Sequence, residues 1–181
     1  KRIEDTQNSI KIINKLKMKE EIKMHTTIKF AKVNPNAIIP SKEIENAGYD
    51  VYACFDEDYI IINPQETKMI PTGIASACDT DYCIILKERG STGTKGMAQR
   101  CGIIDSGFRN AWFVPITNIN NKPLVIIKKE ALEISELTDE DFIIYLYEKA
   151  ICQALVIPVP TTDVEEYTYE ELKSIPSKRG T

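Results

Sequence analysis

Trp112-Phe113-Val114-Pro115-Ile116-Thr117 and Leu124-Val125-Ile126-Ile127, parted by Asn120-Asn121-Lys122-Pro123, decide the fold class. Two short runs rich in β-branched and aromatic residues, with turn formers between them, read as strands joined by a tight connection. Working outward, the same texture recurs. Residues 26–33 alternate, with Ile28 and Phe30 on one face, and residues 59–62, 82–86 and 151–158 are further strands. Asn34-Pro35-Asn36 marks another turn. Many short strands and few helices predict an all-β sandwich or barrel.

Three segments depart from that texture. Residues 1–24 carry Ile10, Ile13, Leu16 and Ile22 at roughly helical spacing among many charges, and predict an amphipathic helical extension ahead of a β domain over 25–176. Residues 130–148 hold Glu130, Glu133, Glu136, Asp139, Glu140, Asp141 and Glu148 without a Lys or Arg until Lys149. Thr138 three residues before Asp141 fits a capping box, so a short helical or mixed insertion, about 129–147, is expected as an exposed flap. Residues 167–175 predict a helical turn leading into a tail, with 177–181 opening a flexible arm. The chain starts at Lys1 and stops at Thr181 without a closing element, and both ends are expected to continue.

Composition narrows the chemistry. The 181 residues are 43% hydrophobic and 28% charged, with a net charge of −4, which suits one soluble domain and disfavours a nucleic-acid surface. No apolar run approaches a membrane span. Cys54, Cys78, Cys83, Cys101 and Cys152 form no C-x-x-C pair and are odd in number, so they read as buried thiols of a reducing, cytoplasmic protein. His25 is the only histidine, which disfavours His triads and zinc sites. Chemistry must rest on carboxylates, hydroxyls, cations or a hard metal ion.

Four clusters could carry it. Ala47-Gly48-Tyr49-Asp50 sets a carboxylate at a strand start, where Asp is also an ordinary turn former. Glu88-Arg89-Gly90-Ser91-Thr92-Gly93-Thr94-Lys95-Gly96 concentrates glycines, hydroxyls and cations. Such a stretch cradles phosphate through converging amides and a guanidinium, or is a plain flexible loop. It is not a Walker A loop, because Lys95 follows Thr94 rather than preceding a hydroxyl residue. Gly102-Ile103-Ile104-Asp105-Ser106-Gly107-Phe108-Arg109 runs an apolar strand into a carboxylate and a small-residue turn. It either presents Asp105 and Phe108 to a ligand or closes a hairpin with Phe108 in the core. In Ile151-Cys152-Gln153, Gln153 is a lone amide in an apolar strand and needs a ligand or a backbone partner.

In this order the clusters resemble the homotrimeric dUTPase family. Ala47-Gly48-Tyr49-Asp50-Val51-Tyr52-Ala53 is similar to its A-G-Y-D-L-x-A motif, and Pro71-Thr72-Gly73-Ile74 to its P-T-G-I stretch. Arg89-Gly90-Ser91 stands where the family has R-S-S or R-S-G, and residues 102–109 resemble G-V-I-D-x-x-Y-R. Ile151-Cys152-Gln153 resembles R-I-A/C-Q, and Arg179-Gly180 the opening of the glycine-rich C-terminal motif. The likeness covers about residues 26–181. It implies a jelly-roll-like, β-clip subunit and a trimer whose active sites lie between chains. It also implies hydrolysis of dUTP to dUMP and pyrophosphate, with Mg²⁺ held mainly by the triphosphate. Asp105 would activate water and Asp50 would orient waters on the metal. Arg89, Gly90, Ser91 and Gln153 would line the phosphates. Gln99, Gly102, Ile103 and Ile104 would read uracil, Phe108 would pack on the deoxyribose, and Arg179 would meet the terminal phosphate.

The chain departs from the family at Gly90 for a serine, Phe108 for tyrosine, Gln99 for asparagine, and Glu148 and Ala150 for glycine and a basic residue. A dCTP deaminase shares the resembled fold. It needs a glutamate after the hairpin, whereas Arg109-Asn110-Ala111-Trp112 supplies none, and an arginine where Thr94 stands. A non-catalytic nucleotide-binding module of the same fold is the third reading.

Overall fold

The computed structural model describes residues 25–100 and 102–178. The helical reading of 1–24 and the Arg179 assignment lie outside the described residues. The strands are β1 (Lys29–Lys32), β2 (Tyr49–Val51), β3 (Tyr59–Ile62), β4 (Thr67–Pro71), β5 (Ile74–Ala77), β6 (Tyr82–Lys87), β7 (Met97–Gln99), β8 (Ile103–Ile104), β9 (Phe113–Asn118), β10 (Leu124–Ile127), β11 (Ile143–Leu146) and β12 (Cys152–Pro158). Among the described residues three short helices accompany them: α1 (Gly90–Gly93), α2 (Lys129–Glu133) and α3 (Tyr169–Ser174). The all-β reading holds. The strands form small sheets in the orders β1-β5, β11-β10-β3, β2-β12-β6-β8 and β4-β9-β7, packed around one core in the jelly-roll-like arrangement expected.

The deciding stretch behaves as its composition dictates. All four residues of β10 are buried, because the strand is central and flanked on both edges, which suits an unbroken apolar run. Residues of β9 from Val114 to Asn118 are buried as well. Asn118 closes that strand: its Nδ2 donates to the carbonyls of Ile62 (2.9 Å) and Lys122 (2.8 Å), and its Oδ1 accepts from the Asn120 amide. A fully buried amide thus has its partners satisfied and pins the turn into β10. Trp112, also fully buried, meets Phe30 edge to face at 5.6 Å.

Near the C-terminus, α3 forms where expected, with a capping box between Thr168 and Glu171. The acidic insertion is mixed, and only partly an exposed flap. Its helix is α2, and Thr138 starts only a single turn, its carbonyl accepting from the Asp141 and Phe142 amides. Strand pairing is the reason: Ile143–Leu146 leaves that turn extended and pairs in parallel with β10. A parallel neighbour needs a long crossover, and residues 128–142 supply it. Only the first part is an exposed flap; Tyr145 of β11 is 1% exposed and belongs to the core.

Candidate active site

The central sheet sets the geometry. Strand β12 lies between β2 and β6, and its register places Gln153 opposite Asp50 on one side and Lys87 on the other. Leaving β6, the chain turns sharply at Arg89 into the single helical turn α1. Three of the four clusters therefore meet at one end of this sheet, around a cleft of about 450 Å³ lined by Glu45, Ala47, Gly48, Asp50, Arg89, Gly90, Ser91 and Gln153 among others.

Arg89, Asp50 and Gln153 have definite partners there. Arg89 grips Asp50 at two points, Nε to Oδ1 at 3.0 Å and Nη2 to Oδ2 at 3.3 Å, and its Nη1 reaches the Ala150 carbonyl at 3.5 Å. The glycine- and hydroxyl-rich stretch after Arg89 is a turn of helix rather than a loose loop. The Thr92 hydroxyl accepts from the Arg89 amide at 2.9 Å, tying the turn shut. The first amides of such a turn have no partner within it, so those of Gly90 and Ser91 are available to an anion. The lone amide of Gln153 finds a backbone partner: Nε2 donates to the Glu88 carbonyl at 2.9 Å. Gly48 is where it is because a Cβ there would come within 3.0 Å of both Cβ and Oε1 of Gln153. A Cβ at Gly90 would meet nothing within 4 Å, so glycine is not sterically required at that departure from the family pattern.

The third cluster lies elsewhere on the same chain. Ile103 and Ile104 pair with Ile85 and Ile84 of β6, and the Leu86 amide donates to the Gly102 carbonyl at 2.7 Å. Gln99, Gly102 and Ile103 border a second, smaller hollow of about 210 Å³. Asp105 follows β8, exposed, and its carbonyl accepts from the Phe108 amide at 3.0 Å. Phe108 is 38% exposed, so it is not the core residue of a plain hairpin. Ile104 pairs with Ile84, whereas Arg89 lies beyond the far end of β6, roughly 15–20 Å along it at the usual strand rise. One chain thus brings Asp50, Arg89, Gly90, Ser91 and Gln153 together; Gln99 and Gly102 adjoin them through Glu88 and Leu86, while Ile104, Asp105 and Phe108 lie farther along β6.

Two residues to which the sequence assigns no role, Glu88 and Tyr145, sit between or beneath these clusters. The main-chain carbonyl of Glu88 holds Gln153, while its Oε1 accepts from the Gln99 amide at 3.2 Å. Its own amide and that of Gln99 keep this carboxyl below the usual value against the opposing effect of burial. Tyr145 lies under Arg89, its hydroxyl donating to the Ala150 carbonyl at 2.5 Å. Only its place in the apolar run Ile143-Ile144-Tyr145-Leu146 hinted that it faces inward.

Comparison with known proteins is decisive here. The sequence profile of the dUTPase family matches residues 34–132, more than half of the chain. The chain belongs to the dUTPase family. A deoxyuridine 5′-triphosphate nucleotidohydrolase of Nautilia profundicola is 30% identical over 157 residues, covering 84% of this chain and 92% of the relative. One of Leptospira interrogans is 28% identical over 99 residues, 52% of this chain and 68% of the relative. Among solved structures, the dUTPase of Staphylococcus bacteriophage 80alpha with dUpNHpp superposes with a TM-score of 0.65 at 23% identity, covering 85% of this chain and 94% of that one. The dUTPase of phage phi11 of S. aureus gives 0.61 at 20%, covering 78% and 96%. This dUTPase is accordingly a dUTP diphosphatase by family, with the family's β fold. Among its described residues no helix is long and apolar enough to cross a membrane.

Proposed function

We propose that this dUTPase cleaves dUTP to dUMP and pyrophosphate by attack of water on a phosphorus atom, with Asp105 as the base. The product dUMP would feed thymidylate synthesis, and removal of dUTP would keep uracil out of DNA in the cytoplasm. The observation that carries the reading is the convergence of Asp50, Arg89, Ser91 and Gln153 on one polar cleft. Phosphoanhydride hydrolysis needs a positioned water and neutralisation of charge spreading over the phosphate oxygens. Arg89 and the amides and hydroxyl of Gly90 and Ser91 suit that neutralisation. Asp105 accepts the proton of the attacking water, and Phe108 packs against the deoxyribose, leaving no room for a 2′-hydroxyl. The segment 99–104 offers backbone groups to uracil, and Arg179 would add a cation at the terminal phosphate.

The residues present fit Mg²⁺. The cleft offers oxygen donors, led by the partly exposed Asp50 carboxylate, which suits a hard ion. Among the described residues no group of three His, Cys, Asp or Glu side chains is placed to hold a metal by itself. Asp50 would orient its water shell while the triphosphate supplies the direct ligands. Held there, such an ion would supply positive charge against the phosphate oxygens.

The separation of Asp105 from Arg89 supports a homotrimer in which each site takes the two halves from different chains. Incubating the protein with dUTP, UTP and dCTP, with and without EDTA, and identifying the products tests the reading. dUMP and pyrophosphate formed from dUTP alone, and only with free Mg²⁺, are expected. Uridine nucleotides formed from dCTP would establish a deaminase instead, and no turnover at all a binding module.

A further inference from the structure

Residues 129–147, which the sequence leaves as an acidic insertion without a role, end in β11 and deliver one aromatic side chain beneath the phosphate cleft. Tyr145 is almost wholly buried, yet its hydroxyl is polar and must be satisfied. It donates to the Ala150 carbonyl at 2.5 Å, the same oxygen that Arg89 Nη1 approaches at 3.5 Å. Ser91 and Arg89 both neighbour the phenol, opposing the burial that raises its pKa. The next tie is one residue away, where Lys95 Nζ donates to the Ile144 carbonyl at 3.0 Å. Strand β11 is therefore fastened to both ends of the stretch 89–95 that borders the cleft.

We propose that Tyr145 is a positioning residue, holding Arg89 and Ser91 where the β- and γ-phosphates of the substrate arrive. This rests on the phosphate-binding reading of the cleft. The physical reason is orientation. Arg89 is anchored to Asp50 on its Nε and Nη2 side, and the Ala150 carbonyl with its Tyr145 partner bounds the other side. A guanidinium gripped on two sides loses little freedom when it forks onto phosphate. Without the phenol hydroxyl, the Ala150 carbonyl is free to draw Arg89 away from the cleft, and the Ser91 hydroxyl loses a polar neighbour.

The test uses Tyr145→Phe, which keeps the ring that fills the core and removes only the hydroxyl. Binding of inorganic pyrophosphate and of dUMP is measured by calorimetry on the full chain, beside KM and kcat for dUTP. The expected result is an approximately fivefold to tenfold weaker pyrophosphate affinity and a matching rise in KM, with dUMP affinity within about twofold. A second measurement separates positioning from packing. In an Arg89→Ala background, Tyr145→Phe should change pyrophosphate binding by less than about twofold, because the residue it acts through is gone. Equal losses of pyrophosphate and dUMP binding, or the same loss in the Arg89→Ala background, would assign Tyr145 to the core alone and overturn the proposal. Should the parent bind pyrophosphate but fail to hydrolyse dUTP, the catalytic reading fails while the positioning test stands. Should the parent bind no pyrophosphate, both fall.

Discussion

Asp50 and Arg89 face each other across the cleft through two contacts, Nε to Oδ1 at 3.0 Å and Nη2 to Oδ2 at 3.3 Å. Both side chains are 32% exposed, and ion pairs this accessible to water contribute only about 0–1 kcal/mol. The pair therefore orients both side chains at the cleft while contributing little to stability. Asp50→Asn should leave the fold intact and raise the Mg²⁺ concentration needed for half-maximal turnover by about 10–100-fold, as for a residue that acts on a metal through its water. A magnesium titration of dUTP hydrolysis reads this directly; an unchanged midpoint would remove Asp50 from the metal site.

Asp105→Asn tests the base. The amide keeps the size and an acceptor oxygen but cannot take a proton from water near neutral pH. Turnover should fall by about 10²- to 10⁴-fold with affinity for a non-hydrolysable dUTP analogue nearly unchanged. Mixing Asp105→Asn with Arg89→Ala chains by joint refolding should restore part of the activity, since some mixed sites would hold both native residues. Absence of any recovery would mean that one chain completes its own site.

Gly102→Ala tests the uracil-reading role proposed for segment 99–104. A Cβ there would lie 2.6 Å from Gln99 Nε2, 2.7 Å from the Leu86 carbonyl oxygen and 3.0 Å from Leu86 Cβ. Two of these neighbours belong to β6 and cannot swing aside, so overpacking should cost about 1–3 kcal/mol. Urea unfolding gives the stability loss, and the ratio of kcat/KM for dUTP over dCTP, which differ in the base alone, should fall with it.

Gly90→Ser should go the other way. The added Cβ enters open space, and the hydroxyl supplies a donor at the cleft that this chain lacks. Affinity for dUTP should tighten by about 0.5–1.5 kcal/mol with little change in stability. An inhibition constant for the non-hydrolysable analogue, compared with the parent, decides it.

Stability should decline on the alkaline side. Burial, with Asp50 and Glu88 adding to it, pushes the Cys152 thiol up to about 12 from the ordinary 9.0. Below pH 9 the thiol is protonated in both folded and unfolded chains and the full stability is present. Between about 9 and 12 only the unfolded chain ionises, so rising pH favours unfolding. Cys54, Cys78, Tyr145 and Tyr147 are raised mainly by burial as well and act with the same sign. Denaturant midpoints from pH 8 to 11 should fall steadily, and Cys152→Ala should flatten that slope.

Short apolar runs bounded by Asn, Pro and Gly were enough to read the all-β class from sequence, because alternation and turn chemistry are local properties of the chain. β3 and β10 appear at the bounds their residues indicated, and the clusters around Asp50, Arg89, Asp105 and Gln153 stood out because polar residues interrupt apolar strands there. What the sequence could not determine is everything that depends on register and crossover. The Thr138–Asp141 pattern left a helical or mixed insertion open, and parallel pairing of β11 with β10, which buries Tyr145, decided for a single turn followed by a strand. Tyr145 under Arg89, Glu88 between Gln153 and Gln99, and the distance that keeps Asp105 from Arg89 follow from which strands lie side by side. That choice is made by packing between residues far apart in the chain, which no local pattern encodes.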